Sequence, residues 1–232
     1  GGGAGGSRRP GGRGGDRCPA EAGPRPQVTA CRRVLTEMAG RGPARGEDGR
    51  PRCPWALSAP EYVDYHDTEW GRSLASDDQM FERMSLEGFQ SGLSWLVILR
   101  KRPAFRRAFA EFSIPAVAAF DDRDVDRLLA DAGIVRNRAK IEATIANARV
   151  VGDLPGGLLG FVQGFAPTAR RRVPRTLDDV PAATPESSAL AKGLRRNGVR
   201  FVGPTTAYAL MQATGLVNDH LAGCAARSAS GR

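Results

Sequence analysis

The chain reads as an all-α protein. Three observations carry this: from Arg52 onward apolar residues recur three and four apart, strict apolar–polar alternation is almost absent, and successive segments open on a capping residue and close on glycine. Ser76 and Gln79 have capping-box spacing ahead of Met80, Phe81 and Met84, which starts one helix. A second begins near Ser94. After a break at Pro103, Phe105, Ala108, Phe109 and Phe112 line one face of a third. Asp121 or Asp122 caps a helix carrying Val125, Leu128 and Leu129, and Ile141, Ile145 and Ala148 mark the core face of the next. Thr184-Pro185-Glu186 combines a cap, a first-turn proline and an acid that suits the helix dipole, with Gly198 as the stop. Pro204 opens the last long helix, which turns Ala207, Leu210 and Met211 inward and ends at Gly215. That makes about eight helices, with the Gly-, Pro- and Arg-rich stretch from Pro155 to Pro181 read as a long connection.

Composition bounds the domain. Residues 1–50 are dominated by Gly, Arg, Pro and Ala, and bury too little apolar surface to offset the entropy of ordering. They are expected to form a disordered, dispensable extension, followed by a helical domain over 51–226 and a disordered tail over 227–232. Of the net charge of +9, the extension holds ten Arg against five acids, which leaves 24 basic and 20 acidic residues elsewhere. A surplus of four is compatible with a phosphate-binding face and demands none. The longest apolar run, Trp95 to Leu99, is too short to span a bilayer, and the amino terminus has no apolar core of the signal-peptide type. A soluble, cytoplasmic monomer without a membrane partner is expected, its four Cys serving as thiols or metal ligands.

Only two His occur in the chain, and each lies near a Cys: Cys53 and His66 at one end, His220 and Cys224 at the other. If His220-x-x-x-Cys224 is helical, both side chains share a face. Two thiolates and two imidazoles complete a closed tetrahedral zinc site. The same residues also suit a plain reading, with His66 an ordinary buried histidine and Cys224 a small core hydrophobe. Spacing alone does not separate the two. Cys18 and Cys31 fall in the extension and stand outside the site.

Leu128 to Ile141 joins two amphipathic stretches through a Gly-containing turn, with Gly133, Ile134, Arg136, Arg138 and Lys140 in or beside it. A helix-hairpin-helix of this kind aims backbone N–H groups at a DNA phosphate, whereas a plain helical hairpin would only solvate its charges. The basic cluster leans toward phosphate. Glu87 lies between two predicted helices, in Leu86-Glu87-Gly88-Phe89-Gln90-Ser91-Gly92-Leu93-Ser94-Trp95. A carboxylate among glycines and aromatics is either solvated or waits for a ligand. Trp55, Tyr62, Tyr65, Trp70 and Trp95 include every Trp of the chain, and with the acid and the hairpin they point to a pocket rather than ordinary core.

From Cys53 to Cys224 the sequence resembles the DNA-3-methyladenine glycosylase I family. The carrying segments are Arg52-Cys53-Pro54-Trp55, Tyr65-His66-Asp67-Thr68-Glu69-Trp70-Gly71, Leu86 to Trp95, Ala132 to Ile141, and Gly215 to His220. The resemblance implies a helix-hairpin-helix fold, one structural zinc on Cys53, His66, His220 and Cys224, and a pocket for 3-methyladenine. It also implies that Glu87 accepts hydrogen bonds from the damaged base, that Trp95 stacks on it, and that Tyr65 and Tyr62 complete the wall. The better-known hairpin glycosylases place an aspartate after the hairpin. Here Asp153 alone stands at about that remove, in a loop-like Gly-Asp-Leu-Pro-Gly, and carries little weight.

The expected reaction is monofunctional hydrolysis of the N-glycosidic bond of 3-methyladenine in double-stranded alkylated DNA. Methylation at N3 makes the base cationic and a good leaving group, so binding of the flipped base to aromatic faces and the Glu87 carboxylate supplies much of the rate. No Lys occupies the hairpin turn, so no Schiff base and no strand cleavage are expected. The rival reading is a zinc-stabilised lesion-binding module without chemistry, to which Glu87 in an aromatic pocket would be superfluous.

Overall fold

The structure, a computed structural model, describes Gly1 and residues 42–169 and 172–230. Its α-helices are α1 (Pro60–Thr68), α2 (Asp77–Gln90), α3 (Trp95–Ala108), α4 (Ile114–Ala118), α5 (Asp122–Ala130), α6 (Arg138–Gly152), α7 (Gly157–Gln163), α8 (Pro185–Arg196) and α9 (Pro204–Ala213). A two-residue hairpin, β1 (Ala44–Arg45) with β2 (Pro51–Arg52), is the one sheet among the described residues. The all-α expectation holds.

Helix α2 is the centre of the molecule. Every residue from Met80 to Phe89 is buried, because α3, α6, α7 and α9 pack around it. Burial on all sides is why a stripe-based reading ends this helix too early. Its start follows the sequence signal: the Ser76 hydroxyl accepts from the Gln79 N–H at 3.3 Å, and the Gln79 side chain accepts from the Ala75 N–H at 2.8 Å. Asp121 caps α5 and Thr184 caps α8 through reciprocal capping boxes, and Gly198 and Gly215 close α8 and α9 with φ of +95° and +73°. The core face of α6 carries Ile141, Ile145 and Ala148, as its spacing requires.

Three expectations are corrected. Pro103 does not break the chain: α3 runs through it, with the proline ring exposed, so water reaches the solvent side where its missing N–H frees a carbonyl. The aromatic face divides instead at Ala110–Phe112, whose φ values of +50°, +54° and +56° form a left-handed turn. Such a turn costs roughly 1–2 kcal/mol per residue. It turns the fully buried Phe112 onto Phe109, ring centroids 5.5 Å apart and nearly parallel. The connection from Pro155 to Pro181 contains α7, which buries Leu158 and Val162. Asp77 at the start of α2 accepts the Leu159 N–H at 2.7 Å, and a Cβ on Gly157 would stand 2.3 Å from that carboxylate.

Described contacts also continue on either side of residues 51–226. Residues 42–50, expected in the extension, form the hairpin, where the buried Arg52 guanidinium forks onto Asp48 at 2.6 and 2.7 Å. Residues 227–230, expected in the tail, pack back: Arg227 donates to the carbonyls of Asn218 and His220, and the Ser230 hydroxyl to Ala226 O. A composition window cannot see such single polar clamps. Residues 2–41, with Cys18 and Cys31, lie outside the described residues.

Candidate active site and metal centre

Cys53, His66, His220 and Cys224 converge in the interior. Cys53 precedes the 3-10 turn Pro54–Ser58, and His66 sits in the last turn of α1. The loop after α9 delivers the other two. The His220–Cys224 segment is a turn rather than the helix considered above, closed by Cys224 N–H to Leu221 O at 2.9 Å. Its approach depends on Gly215, where a Cβ would come within 2.5 Å of Gly71 O.

All four donor atoms lie within 4.8 Å of one another. His220 Nδ1 is 3.2 Å from His66 Nε2, and Cys224 Sγ is 3.4 Å from His66 Nε2 and 3.5 Å from His220 Nδ1. Cys53 Sγ stands 3.9 Å from His220 Nδ1. Metal–nitrogen bonds of about 2.0 Å and metal–sulfur bonds of about 2.3 Å at tetrahedral angles put ligands about 3.3–3.8 Å apart, so the donor set fits a metal ion. The remaining imidazole nitrogens are anchored: His66 Nδ1 to Asp67 Oδ1 at 2.8 Å, with Asp67 gripped by Arg52, and His220 Nε2 to Trp70 O at 3.3 Å. Such anchoring fixes the tautomers that aim the other nitrogens inward. The paired sulfurs share charge unevenly. Cys224 is held well below the usual thiol range by the Cys53 thiol and both imidazoles, while the Cys224 thiolate and burial push Cys53 up. All four positions come from protein, so nothing is left open for a substrate.

The five aromatics expected to line one pocket divide between two jobs. Trp70 stacks on His66 and meets His220 edge-on at 4.6 Å, and Trp55 meets His66 and Trp70 at 5.2 and 5.1 Å. These two indoles jacket the Cys53, His66, His220 and Cys224 cluster. Tyr62 leans on Trp55 at 5.7 Å. Tyr65 bridges the two groups, with its ring 5.6 Å from that of Trp95 and 6.4 Å from that of Trp55. The separation follows from α1: Tyr65 and His66 are neighbours about 100° apart around the helix, so one faces the pocket and the other the metal.

Glu87 is not in a connection between helices; it occupies the last turn of α2 and is 6% exposed. Burial raises it to about 8, against the opposing pull of Arg83 one helical turn earlier. Its carboxylate accepts no hydrogen bond from any described residue and its oxygens keep some contact with solvent, while Arg83 Nη1 and Trp95 Nε1 are buried and unpaired. Tyr65 ties the group together: the Arg83 guanidinium stands 5.3 Å over its ring, and its phenol, pushed up by burial, feels both Arg83 and Glu87. An unpaired acceptor beside unpaired donors and aromatic faces is what a polar, planar, cationic ligand would satisfy. Two surface recesses lie near this group without including Glu87: one between α2 and α6 beside Lys140 and Phe201, and another, about 310 Å³, lined by Arg83, Arg102 and Arg106 together with Glu69 and Glu82.

Helices α5 and α6 are in contact and joined by the turn 131–137. Gly133 N–H and Ile134 N–H, expected to face phosphate, are both taken by Asp131, at 2.7 Å to its side chain and 3.4 Å to its carbonyl, and the Ile134 side chain is buried. Arg136 is exposed and makes no hydrogen bond with any described residue, while Arg138 shares itself between Asp126 and Glu142 at 3.2 and 3.4 Å. Lys140 departs from expectation. Its ammonium donates to Phe89 O at 2.9 Å and Ser91 O at 2.6 Å, because the end of α2 lies within its reach. Asp153 is exposed at the far end of α6, about 22 Å from the hairpin turn at 1.5 Å per residue.

Sequence reading missed Asp67 and Arg83. The first is readable beside a ligand histidine, since such imidazoles nearly always have a carboxylate or carbonyl partner. The second becomes visible only once Glu87 is placed on a helix, where Arg83 is its neighbour at i−4.

Comparison with known proteins gives this geometry a context. The profile of the methyladenine glycosylase family matches residues 55–228. DNA-3-methyladenine glycosylase 1 of Escherichia coli is 43% identical over 179 residues, 75% of this chain and 95% of the relative. DNA-3-methyladenine glycosylase of Haemophilus influenzae is 39% identical over 178 residues, 75% of this chain and 96% of the relative. Among solved structures, that of Staphylococcus aureus 3-methyladenine DNA glycosylase I, which describes 3-methyladenine recognition, superposes with a TM-score of 0.72 at 30% identity over 76% of this chain and 96% of the other. With a family match over residues 55–228 and relatives matched over nearly their whole length, the chain belongs to the methyladenine glycosylase family.

Proposed function

We propose that the chain is a monofunctional DNA glycosylase that hydrolyses the N-glycosidic bond of 3-methyladenine in alkylated double-stranded DNA, the first step of base excision repair. The observation that carries this reading is Glu87: a buried carboxylate without a hydrogen-bond donor, grouped with Tyr65 and Trp95, in a member of this family. The base flips out of the stack, Trp95 and Tyr65 offer it faces, and Glu87 offers charge.

Magnitudes decide the charge state. A carboxyl at about 8 is mostly protonated at pH 7, and ionising it there costs about 1.4 kcal/mol. A hydrogen bond to a charged group contributes roughly 1.5–3 kcal/mol, so arrival of the cationic base tips Glu87 to the carboxylate. Cleavage leaves an oxocarbenium-like sugar that water captures. Lys101 and Lys140, the amines at the hairpin, are both bound to carbonyls, which supports hydrolysis without a Schiff base.

The hairpin α5–α6 is read as a helix-hairpin-helix that grips phosphate through Arg136, Arg138 and the first two N–H groups of α6, those of Arg138 and Ala139. The metal is read as a single structural zinc. A closed Cys2His2 set suits that ion, and it joins the entry of the domain to its carboxy-terminal loop. No helix among the described residues is long and apolar enough to cross a membrane, and a cytoplasmic monomer is the reading kept. Release of free 3-methyladenine from methylated duplex by purified protein tests the proposal and separates it from a binding module that performs no chemistry.

A further inference from the structure

We propose that Lys140 is a positioning residue, not a phosphate contact: its ammonium caps the end of α2 and locks the segment between Glu87 and Trp95 to the hairpin. The inference rests on the glycosylase reading of the pocket for its kinetic part only. A helix leaves its last four carbonyls unpaired, and their dipoles make that end negative. Many helices answer with a left-handed glycine just beyond the last turn. At the end of α2 the capping residue Ser91 has φ −48° and ψ 116°, Gly92 follows with φ +82°, and Gln90 O accepts the Leu93 N–H at 2.6 Å, a turn that leaves Phe89 O and Ser91 O to other donors. The Lys140 ammonium stands in, donating to Phe89 O at 2.9 Å and Ser91 O at 2.6 Å.

The placement has consequences on both sides. Upstream, Phe89 is two residues past Glu87 and is fully buried, 4.7 Å from the ring of Phe105. Downstream, Ser91 leads through Gly92, with φ +82°, to Ser94 and Trp95. One ammonium thus holds the chain midway between the base's acceptor and its stacking face. Lys140 itself is fixed at the third position of α6, where the Asn137 side chain accepts its N–H at 3.1 Å. Asn137 adjoins the exposed Arg136. Whatever the hairpin grips is therefore connected to the pocket through a short chain of hydrogen bonds.

The test compares Lys140→Met, which keeps the apolar stem, and Lys140→Arg, which keeps a cation, with the parent chain. The proposal expects single-turnover release by Lys140→Met to fall at least tenfold, and affinity for free 3-methyladenine to fall by a similar factor. Binding of undamaged duplex should change less than twofold, with the same salt dependence, and Lys140→Arg should recover part of the loss. Amide hydrogen exchange over residues 91–95 should quicken at least tenfold in Lys140→Met. A salt slope reduced by about one with unaltered base affinity would mark Lys140 as a phosphate contact and overturn the proposal. Unaltered exchange over 91–95 would overturn it equally. If the parent chain releases no base, the glycosylase reading fails instead, and the exchange experiment still decides the role of Lys140.

Discussion

Tyr65 and Trp95, one on α1 and the other opening α3, hold their rings 5.6 Å apart at a tilt of 49°. A planar base between two parallel faces needs about 7 Å, two contact distances of about 3.5 Å. The rings as placed therefore form a corner, and a flipped base lies against one of them. Trp95 is the stronger candidate, because its Nε1 is also buried and unpaired. Trp95→Ala should slow base release by roughly one to two orders of magnitude, in line with about 1–3 kcal/mol per stacked base. Single-turnover release measured on duplex of known lesion content checks this, and an unimpaired variant would move the stacking role to Tyr65.

Glu87 links stability to pH. Its folded value of about 8 lies above the ordinary carboxyl range near 4.5. A raised value favours the fold while the group is protonated, so its contribution is full below about pH 4.5 and disappears as pH rises through about 8. Glu87→Gln lacks this dependence. Its melting temperature should exceed that of the parent at pH 9 by clearly more than at pH 5, with an upper bound near 5 kcal/mol in stability. Parallel curves for the two proteins would show that the carboxylate is solvated.

The four-ligand centre should hold one zinc per chain by elemental analysis. Metal binding to such sites is folding free energy, and 1 kcal/mol shifts a domain of this size by about 2–4 °C. Chelation, or Cys224→Ala, should therefore lower the melting temperature by about 10 °C or more. A protein that melts unchanged after its metal is removed would contradict the structural role.

Arg136 is the exposed guanidinium at the hairpin that no described residue engages. Arg136→Ala should weaken binding to any duplex and reduce the slope of log affinity against log salt by about one, leaving release at saturating DNA near the parent rate. A changed release rate with an intact slope would place it in the pocket.

Much of this was legible because it is local. Ser76, Asp121 and Thr184 announce helix starts, and Gly198 and Gly215 announce stops, through interactions completed within a few residues. The metal ligands were legible because the chain spends both its histidines there. What stayed hidden depends on contacts between distant segments. The burial of α2 on all sides concealed that Glu87 is helical, and the indoles of Trp55 and Trp70 went to the imidazoles because α1 turns Tyr65 and His66 about 100° apart. Lys140 reads as a DNA ligand until its partners 49 and 51 residues away are seen. The hairpin at residues 44–52 is held by a few polar contacts, among them Arg52–Asp48, Arg50–Asp67 and Arg45 to Gly49 O, too slight for composition to register.

The Arg52–Asp48 clamp makes a prediction about the amino terminus. A chain beginning at Gly42 should match the full chain in melting temperature, whereas one beginning at Pro51 should melt measurably lower, because Arg52 keeps Asp67 and loses Asp48. Equal melting of the two shortened chains would place the boundary at residue 50.

The central claim is that Glu87 holds a cationic base while its glycosidic bond breaks. Single-turnover release of 3-methyladenine from methylated duplex, compared between the parent chain and Glu87→Gln, tests it most directly. Glutamine keeps the shape and some hydrogen bonding but never ionises, so a loss of roughly 1.5–3 kcal/mol should slow release by about one to two orders of magnitude. The account predicts free base from the parent, an unbroken sugar–phosphate strand, and that loss in the variant; equal rates for the two proteins, or no free base from either, would contradict it.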